Sequence, residues 1–244
     1  MSNQDWLSRT HLLLGTDKIN RLKNSHVLIV GVGGVGAYAA EQVCRAGVGA
    51  ISLVDGDTVH PSNRNRQLLA LLTTEGMNKT QVMGDRLLDI NPELHLTTIQ
   101  QYAKDESIQN ILEKPYDFVI DAIDSLGPKV HLIHECVKRN MRLVSSMGAG
   151  GKIDPLQVKV SDISKSYNCR LAYYIRKRLH RMGIHSGFPV VYSPEPVNPE
   201  AIIATDDIPN KKSLVGTISY LPAIFGCYCA SVAIRGIITE NDPE

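Results

Sequence analysis

The stretch HVLIVGVGGVGAYAAEQVCRAGVGAISLVDGD, residues 26–57, decides the fold. Val27–Val30 reads as a buried strand, and Gly31-x-Gly33-x-x-Gly36 follows it and opens a helix. In that setting the glycines allow a tight turn, and backbone N–H groups with the positive end of the helix face a phosphate. A second strand, Ala50–Val54, ends at Asp55, 24 residues beyond Gly31, where a carboxylate can accept hydrogen bonds from both hydroxyls of a ribose. The expected ligand is an adenine nucleotide, and both NAD and ATP meet the description so far. A strand-to-helix turn without a ligand is the structural alternative.

Outward from this unit the pattern repeats. Strands are expected at Leu94–Ile99, Asp117–Ile120 and Arg142–Ser146, with helices at Val35–Ala46, Lys79–Ile90, Asp105–Leu112 and Pro128–Arg139. That alternation predicts an α/β fold, a Rossmann-like, doubly wound and mostly parallel sheet, with an additional C-terminal strand and helix extension. The 244 residues divide within one domain into a helical arm (1–24), a nucleotide-binding core (25–150) and a substrate- and dimer-forming portion (151–244). Helically spaced leucines between Trp6 and Leu22 mark the arm. After Gly148–Gly151 the sequence predicts an alternating edge strand at Leu156–Ile163, a basic helix to Met182 and a proline-rich loop from Pro189 to Pro209.

Composition narrows the function classes. A net charge of +1 requires any basic surface to be local. Five cysteines without a C-x-x-C pair argue against a disulfide framework and a zinc knuckle, and the histidines show no metal-ligand spacing. Cys227-x-Cys229 is expected to be a pair of buried, inert thiols, with redox chemistry or sulfur transfer as the alternative use, the latter implying a sulfur-transfer protein as partner. The N-terminus lacks the basic start and apolar run of a signal peptide, so a cytoplasmic protein is expected. Ser213–Ile234 is free of charge for 22 residues, yet Gly216, Thr217, Ser219, Pro222 and Gly226 favour a buried loop and core helix over a membrane span.

Past Asp55 come Asn63, Asn65 and Arg66, and then Lys79 at a helix start. Cations beside a phosphate loop suit a triphosphate better than NAD, and solvated surface charges are the plainer reading. Asp121 and Asp124 end a later strand on the ligand side of such a sheet, where a carboxylate can hold Mg²⁺ or, in the case of Asp124, cap the next helix. Together GVGGVG, DGDTV, SNRNRQ, GMNK and DAIDS resemble the ubiquitin-activating superfamily, which adenylates carboxylates with ATP. The resemblance implies Gly34 at the phosphates, Asp55 on the ribose, Asn63, Arg66 and Lys79 on the triphosphate and Asp124 on magnesium, with Asp57 and Ser125 also among the nucleotide-binding residues and Arg9, Arg66, Lys79 and Asp124 as the catalytic set. It also implies that Arg9 enters the nucleotide site of a second copy in a homodimer.

The second half resembles the tRNA threonylcarbamoyladenosine dehydratases through SSMGAGGKIDPLQVKVSDI and KKSLVGTISYLPAIFGCYCASVAIRG. The resemblance implies ATP and Mg²⁺ as cofactors, a tRNA carrying threonylcarbamoyladenosine as substrate, and ring closure through an acyl-adenylate. Between Ile163 and Pro194 there is no acidic residue, while Lys165, Arg170, Arg176, Lys177, Arg178 and Arg181 are basic. Arg170, Arg176, Lys177, Arg178 and Arg181 are expected on the tRNA backbone. Tyr173 and Tyr174 are expected in the core, with stacking on exposed bases as the alternative. The rival functions are adenylation of a sulfur-carrier protein, NAD-dependent oxidoreduction and tRNA binding without catalysis.

Overall fold

The alternating pattern is realised in a computed structural model that describes residues 5–204 and 213–239. Seven strands form one sheet: β1 His26–Val30, β2 Ala50–Val54, β3 His95–Ile99, β4 Phe118–Asp121, β5 Leu143–Ser146, β6 Lys159–Asp162 and β7 Pro189–Tyr192. Their order is β3-β2-β1-β4-β5-β7-β6, with every neighbouring pair parallel except β6 against β7. The chain runs outward from β1 to β3 and then returns to β4 beside β1. The carboxyl ends of β1 and β4 therefore flank the crevice where such sheets bind ligands.

Side chains alternate across each strand, so both faces are apolar and both are covered. Val27, Ile29, Ile51, Leu53, Phe118, Ile120, Val144 and Val191 meet α1 Ser8–Lys23, α2 Gly36–Arg45, α3 Lys79–Ile90 and α7 Tyr220–Ile238. Leu28, Val30, Val54, Val119, Leu143, Val190 and Tyr192 meet α4 Asp105–Ile111, α5 Leu126–Lys138 and α6 Arg170–His180 on the other face. α7 is long and apolar enough to cross a bilayer, and half of it is buried against α1, α2 and the sheet. Its Gly226 lets it approach α2 closely, since a Cβ there would lie 2.4 Å from the Val35 carbonyl oxygen.

Four expectations need correction. Residues 189–192 form a buried strand inside the sheet rather than a loop, while positions 205–209 of that predicted loop lie outside the described residues. Tyr173 and Tyr174 are 52% and 39% exposed, because α6 buries Ala172, Ile175 and Leu179 instead. Cys229 is buried but Cys227 is exposed, as their two-residue spacing on one helix turns them to different sides. The segment before α7 is not buried: Leu214, Val215 and Ile218 are exposed, and β8 Ile202–Ala204 pairs antiparallel with β9 Ser213–Val215 beside the main sheet.

Candidate active site

The turn after β1 is built by backbone necessity. Gly31 has φ +91° and donates to the Val54 carbonyl at 2.8 Å, and a Cβ there would strike the Ala122 carbonyl oxygen at 2.7 Å. A Cβ on Gly36 would lie 1.7 Å from the Gly31 carbonyl oxygen, so α2 starts only with glycine. Gly34 packs beneath Pro222 of α7 and the Arg66 backbone. Gly33 differs: the nearest atom to a Cβ there is Gln67 Nε2 at 3.7 Å, so this side of the loop stays open.

Asp55 organises the rim. Its carboxylate accepts from Val32 N at 2.6 Å and from Asp57 N at 2.8 Å, which joins the glycine loop to the segment after β2. Burial pushes its pKa above the ordinary aspartate value, against the pull of Lys79 and the two backbone bonds. Lys79 opens α3, is 5% exposed, and its Nζ meets Asp57 Oδ2 at 2.9 Å. The other oxygen of Asp57 accepts from the Tyr102 hydroxyl at 2.7 Å. Tyr102 was not expected from motifs, though its position just past β3, at the ligand end of the sheet, is a readable signal.

Asn63 is buried, and its Oδ1 accepts from His60 N at 3.1 Å to close the turn at Pro61–Asn63. Arg66 is half-buried, with Nη1 donating to Ser62 O at 2.9 Å and to Asn65 Oδ1 at 2.8 Å. Burial lowers its pKa, while the nearby Asp124 carboxylate raises it. Asn65 in turn donates to Thr217 O at 3.0 Å and ties this segment to the approach of α7.

The two aspartates after β4 separate cleanly. Asp121 is fully buried, ion-paired to the equally buried Lys129 at 2.8 Å and bonded by Ser145 Oγ at 2.6 Å. It holds strand to helix and is withdrawn from any ligand. Asp124 is exposed beyond the strand end, and α5 takes Ser125 rather than Asp124 at its N-cap. Farther along, Lys152 is buried, its ammonium donating to the Ser193 carbonyl, and burial lowers its pKa; it lies within the stretch SSMGAGGKIDPLQVKVSDI, where no role was expected for it.

The contacts described join the glycine loop of Gly31, Gly33, Gly34 and Gly36 to Asp55, Asp57 and Lys79 on one side and to Arg66, with Asp124 near it, on the other, while Asn63 shapes the turn before Arg66 and Ser125 caps α5 next to Asp124. Arg9 does not join them: it lies exposed on the first half of α1, before a break at Gly15 (φ 78°, ψ 170°). Arg170, Lys177, Arg178 and Arg181 are exposed on or just after α6, whereas Arg176 is half-buried and bonded to Ser166 Oγ. Gln67 lies beside the loop, its Nε2 3.7 Å from where a Cβ on Gly33 would be, and its Oε1 is sealed from solvent with no hydrogen-bond partner among the described residues.

The ThiF family profile matches residues 7–244 of this chain. The chain belongs to the ThiF family. A Bacillus subtilis protein named tRNA threonylcarbamoyladenosine dehydratase is 44% identical over 188 residues, 77% of this chain and 74% of that one. The solved Escherichia coli tRNA N6-threonylcarbamoyladenosine dehydratase in complex with ATP superposes with TM-score 0.88 at 33% identity, covering 97% of this chain and 95% of the other. A ThiF family relative of different name, the Escherichia coli sulfur carrier protein ThiS adenylyltransferase, is 37% identical over 63% of both chains.

Proposed function

We propose that this chain uses ATP to adenylate the threonyl carboxylate of threonylcarbamoyladenosine in tRNA, after which a nucleophile of the same group closes a five-membered ring. Family membership and the likeness to an ATP-bound dehydratase over nearly the whole chain support an ATP-dependent adenylating enzyme. The observation that carries the reading is the gathering of Arg66, Lys79 and Asp124 beside a glycine loop whose Gly33 side is open.

In the first step a carboxylate oxygen bonds to the α-phosphorus and pyrophosphate departs. In the second, the internal nucleophile bonds to the acyl carbon and gives up its proton to solvent while AMP leaves with the electrons of the broken bond and the former carboxylate oxygen, so the substrate is lighter by one water overall. Arg66 and Lys79 offset phosphate charge, and Asp55 orients the nucleoside through its ribose. Asp124, with phosphate oxygens, would hold Mg²⁺, which when bound neutralises triphosphate charge. A nucleophile already held beside the acyl carbon has a high effective concentration, so no enzyme thiol is needed. Cys44, Cys136 and Cys229 fit this, buried with thiols pushed up to about 12.

The exposed cations of α6 bind the tRNA backbone in this reading, and the protein works in the cytoplasm as a homodimer. Leu12 and Leu13, 88% and 82% exposed beside Arg9 on α1, support a second copy packing there. The test incubates the protein with ATP, magnesium and threonylcarbamoylated tRNA and reads the nucleosides by mass spectrometry mild enough to spare the ring. The expected product is lighter by one water. Pyrophosphate exchange stimulated by a diglycine-tailed protein but not by tRNA would replace this reading with carrier activation, and stabilisation by NAD but not Mg-ATP would replace it with oxidoreduction.

A further inference from the structure

α6 buries Ala172, Ile175 and Leu179 along one side. On its opposite side, steps of four residues line up two exposed ridges, Arg170–Tyr174–Arg178 and Tyr173–Lys177–Arg181. The rings of Tyr173 and Tyr174 meet edge-on, with centroids 5.3 Å apart and planes at 71°, and the Arg170 guanidinium lies 5.9 Å from the Tyr174 centroid. Two large rings are thus held in solvent inside a field that no acidic residue between Ile163 and Pro194 interrupts. The helix also starts beside the loop that follows β5, at the carboxyl end of that strand: Leu171 Cβ lies 3.9 Å from where a Cβ on Gly148 would be.

From this geometry we infer that Tyr173 and Tyr174 form a stacking platform for unpaired bases of the RNA substrate, framed by the cations that grip its backbone. The inference rests on the tRNA reading above. An aromatic face stacks on any base, while interleaved Arg and Lys take the phosphates on either side, and this pairing of rings and cations is how proteins hold single-stranded RNA. A duplex offers no free base face, so the platform selects the unpaired nucleotides of a loop. Because α6 begins beside the Gly148 loop, on the ligand side of the sheet, its platform would hold nucleotides flanking the reacting one.

The test measures binding of a labelled anticodon stem-loop, and of a fully paired RNA of equal length, to the intact protein across a salt series. Tyr173→Ala with Tyr174→Ala should weaken stem-loop binding by about tenfold or more, since each stacked base is worth roughly 5- to 150-fold. Duplex binding and the slope against log salt should stay at wild-type values. Tyr173→Phe with Tyr174→Phe should bind as wild type, because stacking needs the ring and not the hydroxyl. By contrast, Lys177→Glu with Arg178→Glu should flatten the salt slope by roughly 0.7 to 0.9 for each phosphate no longer neutralised. A matched reversal of Lys114 and Lys138, exposed near the amino ends of the strands, should do much less. Photocrosslinking of a 5-iodouridine stem-loop to wild-type protein should label α6, which decides the matter if the alanine pair fails to fold.

Stem-loop affinity unchanged in the alanine pair, or crosslinks that avoid α6, would overturn the platform and leave the rings to a protein partner. Equal loss on stem-loop and duplex, or a Phe pair as weak as the Ala pair, would also overturn it. Wild-type protein that forms the ring while the alanine pair keeps its KM for tRNA would refute the platform alone. No ring formation and no tRNA binding by wild type would refute the functional reading, and the platform with it.

Discussion

Asp121 and Asp124 stand three residues apart and have opposite fates, which the motif DAIDS does not reveal. Both follow an apolar strand, and only packing separates a carboxylate sealed against Lys129 from one left in the crevice. Asp124→Ala should therefore abolish ring formation while shifting stability by under ~0.5 kcal/mol, read by mass spectrometry and thermal melting. Turnover retained at saturating ATP would remove its metal role. Asp55 adds a pH dependence. Its folded pKa is raised, so the free protein binds this proton more tightly than the unfolded chain does. As a result, the charged acceptor needed for a ribose is lost as pH falls through a value above the ordinary aspartate pKa of about 3.9. Calorimetric ATP affinity should fall in that window, and Asp55→Asn should bind weakly throughout. Among the thiols, only Cys227 is exposed. A colorimetric thiol reagent should count one reactive cysteine in the native protein and all five after unfolding, with Cys227→Ser removing the native signal.

Elements were legible wherever one face was apolar at a regular period. β2 and α3 coincide with the expected Ala50–Val54 and Lys79–Ile90, because an apolar run bounded by turn residues and a helix-period pattern leave little choice. β7 was hidden because its four apolar residues sit among prolines; Pro189 opens the strand, where its lack of an N–H is tolerated. The tyrosines of α6 were misplaced because an aromatic residue suits a core or a wet binding face equally, and the narrow stripe of Ala172, Ile175 and Leu179 already seals the helix. Tyr102 needed the fold itself, since it reaches Asp57 from a loop without a motif. The packing of α2 on α7 shows how one element can tune another. Gly226→Ala would press a Cβ on the Val35 carbonyl at the edge of the glycine loop, so it should destabilise by about 1 to 3 kcal/mol. ATP affinity should fall with it, measured on protein held below its melting point. Wild-type melting and ATP binding would show that α7 does not position the loop.

At the scale of the whole molecule, the prediction concerns two copies. Arg9→Ala and Lys79→Ala should each inactivate the enzyme, while a mixture allowed to exchange subunits should regain part of the activity. In the mixed dimer one site receives Arg9 from one chain and Lys79 from the other. No recovery after demonstrated exchange would mean that each chain works with its own residues. The sealed Asp121–Lys129 pair has a consequence of another kind. Removing one partner strands a charge in the interior at about 3 to 5 kcal/mol, a large share of what holds a domain together, whereas replacing both by apolar groups of similar volume is often neutral. Descent with single substitutions must then cross a valley of poorly folded intermediates to reach any other solution. A change at Asp121 or Lys129 alone therefore endangers folding before it touches the chemistry, whereas the exposed ridges of α6 can be altered without loosening the core.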